Sequence, residues 1–564
     1  MRRFSWVRLG SGTAAGVVAA RLAAVVATAV VSLSIVVLAA GCGGILGSEG
    51  TTSTPVSATQ QPVTTVPPGG ESGSPGTTSS TGEPPTGQPP TGQPPTTLSS
   101  AALAAYTGSS EGGDPYFPSS GNGGYDVQHY AITLDIDPES GHIVGETTVD
   151  AIATQELAAF YLDLLGLEVS AVVVDGKTAE FKREGQELKI ICPAMVAPGS
   201  RFSAKVSYAG VPTPLNGKQF ALGWQKVGDT IYTLDEPQGA ACWFPVNDIP
   251  ADKATYGFRL TVPEAYTATA SGTLVGNEAT STPGGETTHT YSWQMDKPMA
   301  SYLAAVTVDR YVAEERPESR TGVAMRDYYA VDLAAAAQKA FSRTAEVVDY
   351  FSGLFGPYPF EEYGVVVPDV DIGAAMENQT LSLFGRDVLT KRMSDPVAGP
   401  LFLSHELAHQ WFGNSVTIEQ WDDIWLNEGF ATYASWLWLE HDLGSEALET
   451  IVRQTQDTVS KSIEPPPAEP GNSHLFGAST YLRGGLTLHA LRLAVGDDTF
   501  FRILRTWTER YKYGNAETAD FVALAKEEAG QESSAEIEAL LEAWLYEEEA
   551  PALPGSSGPE GAGR

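Results

Sequence analysis

Cysteine is nearly missing from this chain: Cys42, Cys192 and Cys242 are the only three in 564 residues. That is too few for a disulfide framework, and their scatter excludes a CxxC-type zinc site. If Cys42 is consumed by modification, as argued below, only Cys192 and Cys242 could pair, and the sequence leaves open whether they do. Basic residues are scarce too. Lys and Arg number 34 against 69 Asp and Glu, for a net charge of −35. A surface of that sign repels phosphate backbones, which argues against a nucleic-acid partner. Its simplest consequence is a well-solvated acidic surface. Histidine is also rare, with eight in all, yet 42% of residues are hydrophobic, so wholesale disorder is excluded.

The front end has the marks of export. Arg2, Arg3, Arg8 and Arg21 precede a charge-free apolar run from Leu22 to Ala40, the order of a secretory signal. The run closes on Leu38-Ala39-Ala40-Gly41-Cys42-Gly43, which resembles a bacterial lipobox. The resemblance implies a signal peptide over 1–41, a lipid on the Cys42 thiol, and a protein held at the outer face of the cytoplasmic membrane or the cell surface. A signal-anchor helix is the alternative, since about 19 apolar residues can span a bilayer. From 42 to 122 Thr, Pro, Gly and Ser dominate, with a short Pro-Pro-Thr-Gly-Gln repeat. Such a stretch cannot bury a core and predicts a disordered spacer. Residues 551–564 read as a flexible tail.

Between 123 and 315 the texture is that of strands. His129 to Asp137 alternates, Val169 to Val174 and Lys189 to Cys192 are short strand-like runs, and Asp175-Gly176 and Pro198-Gly199 are turn signals. Further strands are expected around Tyr266–Ser271, Thr288–Trp293 and Tyr302–Val308. His129, His142 and His289 stand singly in this all-β region and read as structural or exposed.

After Asp332 the period becomes helical, and Ala334 to Tyr350 predicts one amphipathic helix. The informative stretch is Ser404-His405-Glu406-Leu407-Ala408-His409-Gln410-Trp411-Phe412-Gly413. On a helix, His405 and His409 share a face and can bind one Zn²⁺, while Glu406 can serve as general base toward the attacking water. Gly413-Asn414 marks the helix end. With so few histidines, a chance HExxH is about a one-in-a-hundred event. The run Asp422-Asp423-Ile424-Trp425-Leu426-Asn427-Glu428 predicts a second helix capped by an aspartate. It supplies Glu428 as a third ligand, because two histidines, a glutamate and water form a known catalytic zinc set.

The His-Glu-x-x-His pair with Glu428, the run Asn427-Glu428-Gly429-Phe430-Ala431 and the segment Gly373-Ala374-Ala375-Met376-Glu377-Asn378 resemble the aminopeptidase N family of zinc peptidases, which includes the leukotriene hydrolase. Tyr125 to Tyr130, Cys242-Trp243-Phe244-Pro245 with Asp248, Pro250, Lys253 and Ala254, Phe355 to Phe360, and Tyr481-Leu482-Arg483-Gly484-Gly485 extend the likeness over about 123–550. It implies a multidomain α+β fold: a β-saddle domain (123–315), then a mainly helical thermolysin-like catalytic domain (316–550), without a large carboxy-terminal helical domain. It also implies roles. His405, His409 and Glu428 hold one Zn²⁺ per chain, and Glu406 activates water. Tyr481 stabilises the tetrahedral intermediate. Glu377 and Glu236 hold the free α-amine of a peptide substrate, with Ala375, Met376 and Asn378 alongside.

Three positions depart from the pattern: Ala374 for a glycine, Leu234 for a glutamine, and Ser435 where an acid often follows the third ligand. The last puts the support of the zinc histidines in question. Competing readings are a thermolysin-type endopeptidase, which has no need of amine-holding glutamates, an epoxide hydrolase on the same constellation, and a non-catalytic surface binding protein.

Overall fold

A computed structural model describes residues 98–217, 220–281 and 284–555. The export signal, Cys42, the Pro-Pro-Thr-Gly-Gln repeat and most of the tail lie outside the described residues. Among the described residues no helix is long and apolar enough to cross a membrane.

The alternating runs become strands as their period requires. Tyr125–Ile136 pairs antiparallel with Ile143–Ala153 and parallel with Ala254–Pro263 at the centre of an eight-stranded sheet. Asp175 and Gly176 both adopt positive φ, 48° and 74°, and form the two-residue turn that pairs Glu168–Val174 with Lys177–Thr178. A five-stranded sheet contains Ala221–Val227 and Thr230–Leu234, and a three-stranded one is built on Leu157–Asp163. Cys192 and Cys242 are both buried and unpaired.

Two boundaries move. The expected spacer yields to ordered chain at 98, well before 122: Ser100–Ala105 is a helix, Thr107 bridges to Ala159, and Asp114, Ser120 and Asn122 are buried. Its irregular composition hid this, because its order comes from polar bonds to distant partners, such as Asn122 Nδ2 to Asp163 at 3.1 Å. The catalytic half begins slightly before 316, since Tyr311–Arg316 is the edge strand of that half's own sheet, followed by Ala324–Ala330, Glu362–Val367, Leu381–Phe384 and Ala375–Met376.

The helix expected over 334–350 is broken into Ala334–Ala340 and Thr344–Phe355. At the break the Phe341 carbonyl accepts the Thr344 N–H at 3.1 Å in a tightened i→i+3 turn, and also Thr344 Oγ1 (2.6 Å) and Arg316 Nη1 (2.5 Å), so side chains compete with the helical ladder there. Behind the sheet, Ala398–Ala408, Trp425–Leu443 and Gly484–Val495 pack together. Trp425–Leu443 is buried on every side along most of its length, as a central helix should be.

Candidate active site

The helix Ala398–Ala408 starts where Asp395 Oδ1 accepts the N–H groups of Val397 and Ala398 at 2.9 and 2.8 Å. It ends at His409, which keeps helical φ and ψ of −56° and −25°, so His405 and His409 remain on one face. The next segment turns back through Gly413, at φ 119°. The second helix is not capped by aspartate as expected. Asp423 instead accepts from the backbone and hydroxyl of Thr518 (3.0 and 2.5 Å), which ties the helix start to a later helix.

His405 Nε2 lies 3.2 Å from His409 Nε2 and 3.2 Å from Glu428 Oε2, and the third side of the triangle is 3.5 Å. A tetrahedral zinc with bonds of about 2.0–2.1 Å has ligand–ligand edges of about 3.3–3.4 Å. The three atoms fit that ion. The charge balance fits as well. Burial opposes a charge on His409, but Glu377, Glu428 and Glu406 outweigh it and push the imidazole up to about 10. For Glu428, burial is overcome by His409 and His405, which hold its carboxyl down at about 2. Carboxylates and imidazoles converging in a buried space call for a cation. His409 Nδ1 meets the Phe412 carbonyl at 3.1 Å, which fixes the tautomer and leaves the Nε2 lone pair facing the metal position. His405 Nδ1 is buried without a hydrogen bond. Ser435 does not support it: its hydroxyl donates to the Thr432 carbonyl at 2.7 Å.

Glu406 is buried, and burial pushes its carboxyl up against the pull of His409. Tyr481 lies in a single π-helical turn, Ser479–Arg483, ahead of Gly484–Val495, an irregularity common at functional sites. Its ring stacks on His405 at 6.0 Å and 17°. Burial and then Glu428 push its hydroxyl well up, so it stays a donor. Two glycines set this approach. A Cβ on Gly429 would sit 2.9 Å from Gly484 backbone atoms, and one on Gly484 would sit 2.9 Å from Gly429 Cα.

Glu236 follows the strand Thr230–Leu234, while Glu377 follows the edge strand Ala375–Met376. One carboxylate oxygen of each lies within 4.8 Å of the other and of Glu428. The Oε1 atoms of both are buried without a hydrogen bond, that of Glu377 lying 3.9 Å from His409 Nδ1. Burial, then Glu377, pushes the Glu236 carboxyl up. Trp243 steadies the Glu236 turn by donating its indole N–H to Asp235 at 2.9 Å. Ala375 is half-buried, and Met376 and Asn378 are buried. Ala374 is not strained: the positive φ of this tract, 82°, falls on Gly373.

Sequence reasoning missed the residues that hold Glu377. Gln410 is wholly buried, its amide N–H donates to the Glu377 carbonyl at 3.0 Å, and its Oε1 accepts from Thr380 N–H at 2.9 Å. Asn414 Nδ2 donates to the same carbonyl at 2.8 Å. The Lys253 ammonium, from the β-rich half, donates to the carbonyls of Asn414 (2.9 Å), Ser415 (3.0 Å) and Gly514 (3.4 Å). The available signal was position: Gln410 and Asn414 directly follow the histidine pair.

Comparison with known proteins agrees with this geometry. Residues 339–544 match the peptidase family M1 domain and residues 126–303 the peptidase M1 N-terminal domain. An M1 zinc metallopeptidase from Deinococcus radiodurans, solved as a mutant bound to a Tyr-Ser-Ala substrate, is 32% identical with a TM-score of 0.72, covering 79% of this chain and 99% of that one. The chain belongs to peptidase family M1. Among curated relatives, the glutamyl aminopeptidase of Mus musculus is 30% identical over 308 residues, 51% of this chain and 32% of that protein. The aminopeptidase N of Streptomyces lividans is 26% identical over 443 residues, 74% of this chain and 50% of that protein. The chain thus spans about a third and about half of the length of these two curated relatives. The two-part M1 architecture, a β-rich domain followed by a helical catalytic domain, is the one expected from the sequence.

Proposed function

We propose that this M1 protein is an exported zinc aminopeptidase, lipid-tethered through Cys42, that removes the first residue from peptides with a free amino terminus. One observation carries the exopeptidase reading: two buried carboxylate oxygens without a hydrogen bond, from Glu236 and Glu377, beside the three-ligand cluster. Buried carboxylate oxygens without hydrogen bonds are costly, and a peptide's ammonium would donate to both at once. The Deinococcus relative bound to Tyr-Ser-Ala, a peptide with an amino terminus, supports the same substrate class.

His405, His409 and Glu428 would hold zinc, which supplies Lewis acidity toward the scissile carbonyl and lowers the pKa of water. Glu236 and Glu377 clamp the ammonium and so fix the distance from the amino terminus to the reacting bond. Ala375 and Met376 lie on a sheet edge, where a peptide backbone can add as a strand. Glu406 takes the proton of the attacking water and passes it to the leaving amine. Tyr481 donates a hydrogen bond from its hydroxyl to the carbonyl oxygen, which strengthens as negative charge grows there.

The test is a peptide series with free and acetylated amino termini. Acetylation should abolish cleavage by the wild type; internal cut sites in blocked peptides would replace this reading with an endopeptidase. The tether is tested separately. Cys42→Ser should give an unprocessed or released protein, and a variant still processed and membrane-bound would overturn it.

A further inference from the structure

The segment 114–119 lies ahead of the family-matched residues, which begin at 126, yet it is built into the site. Asp114 is buried. Its Oδ1 accepts the N–H groups of Tyr116 and Phe117 at 2.8 and 2.9 Å, and its Oδ2 accepts the N–H of Trp421 at 2.8 Å, in the turn that leads to Glu428. The Tyr116 hydroxyl accepts from Gly471 N–H at 3.0 Å, and its carbonyl from the Asn472 amide at 2.6 Å. Phe117 packs edge-on against Trp421 with ring centres 6.1 Å apart. So pinned, the segment forms one wall of a cavity of about 380 Å³. Phe220, Leu222 and Phe476 line it from other sides, and Glu236 is its only charged side chain among the described residues.

We propose that this segment is a specificity element: Tyr116 and Phe117 wall the chamber that receives the substrate's first side chain, and they select bulky apolar, above all aromatic, first residues. The proposal rests on the amine-holding role of Glu236, because an ammonium at that carboxylate sets the adjoining α-carbon beside this cavity. The volume lies in the range of small-molecule pockets, roughly 300–1,000 Å³. An aromatic side chain there would meet four rings, with edge and face contacts available. A methyl group would leave most of the chamber unfilled and its wall contacts unmade. An acidic first residue would face Glu236 directly.

The experiment measures kcat/KM for phenylalanyl, leucyl, alanyl and glutamyl anilides with the full chain and two variants. Phe117→Ala removes part of the wall. Ser119→Trp adds bulk from an exposed wall position that buries little, so its fold is expected to survive even if the first variant's does not. Wild type should prefer phenylalanyl to alanyl anilide by about tenfold or more, and each folded, zinc-loaded variant should lower that ratio about tenfold. An unchanged ratio in the folded variants, or a wild-type preference for alanyl or glutamyl anilide, would overturn the proposal. If the wild type hydrolyses no anilide, the aminopeptidase reading fails by itself, and calorimetry then reads the chamber. Tighter binding of L-phenylalanine amide than of L-alanine amide, reduced in the folded variants, upholds the wall. Equal binding throughout overturns it.

Discussion

At the metal end of the site the facing atoms come from two adjacent helices, with His405 and Glu428 only 23 positions apart. At the amine end Glu236 comes from the β-rich half and Glu377 from the catalytic sheet. The metal end is rigid because its ligands sit on two packed helices, the second of which meets the helix after Tyr481 glycine to glycine. The amine end is a junction: side-chain amides of the catalytic half hold Glu377, and the Lys253 ammonium of the β-rich half ties their loop across the domains. Damage to the first should therefore act through the ion, and damage to the second through substrate position. Five substitutions sharpen or break that contrast.

The largest effect is expected from Glu406→Gln. It leaves all three ligands in place, so bound zinc should stay at one per chain while kcat falls by about 10⁴, the upper range for loss of a general base. His405→Ala should lose zinc and turnover together. Metal analysis alongside initial rates checks both. Normal turnover by Glu406→Gln would remove this residue from the mechanism.

Tyr481→Phe comes next. The ring, its stacking on His405 and the Gly429–Gly484 contact are retained, so only the donor is lost. Donor removal of this kind costs on the order of 10²–10³ in kcat, with KM and zinc content close to wild type. A normal kcat would leave Tyr481 a packing residue.

The contrast also explains what could be read from the sequence. His405, Glu406 and His409 were legible because a helical period puts two histidines on one face, and Glu428 because a carboxylate on the next helix completes a known zinc set with them. The strands from Tyr125 onward were legible from alternation. What escaped depended on tertiary partners. Residues 98–122 looked like spacer because nothing local shows that Asp114 will cap the Trp421 turn. The supposed aspartate cap failed because Thr518, far along the chain, claims Asp423. Support for the histidines was unreadable too: His409 uses the carbonyl of Phe412, a group every residue has.

Gln410→Leu tests the clamp on the amine loop. It keeps volume but removes the donor to the Glu377 carbonyl and the acceptor for Thr380 N–H. A shift of about 1 Å in substrate position can cost about 10², so kcat/KM for free-amine peptides should fall by roughly 10- to 100-fold. Zinc content should not change. Weak discrimination between free and acetylated peptides should accompany the fall, since the damage lies at the amine end. Lost zinc would instead show that Gln410 supports the histidine helix.

The smallest effect belongs to Lys253→Met, the most remote member of the junction. Lys253 donates to three backbone carbonyls. Its burial pushes the ammonium down to about 7, since desolvation penalises the charge. Met preserves the stem but leaves the carbonyls of Asn414, Ser415 and Gly514 without this donor. Hydrogen bonds from a charged group are worth about 1.5–3 kcal/mol each in net terms, and relief of the desolvated charge offsets part of that loss. The sign of the charge contribution to stability follows from linkage. An unfolded lysine keeps its proton to about 10.4, so between about 7 and that value the unfolded chain binds more protons and stability rises with pH. Lys253→Met should remove this rise, flattening the melting temperature between pH 7 and 9. It should also raise KM several-fold, because Asn414, which holds the Glu377 carbonyl, loses its anchor to the β-rich half. An unchanged KM with a flattened stability profile would show that Lys253 ties the domains together without positioning the amine site.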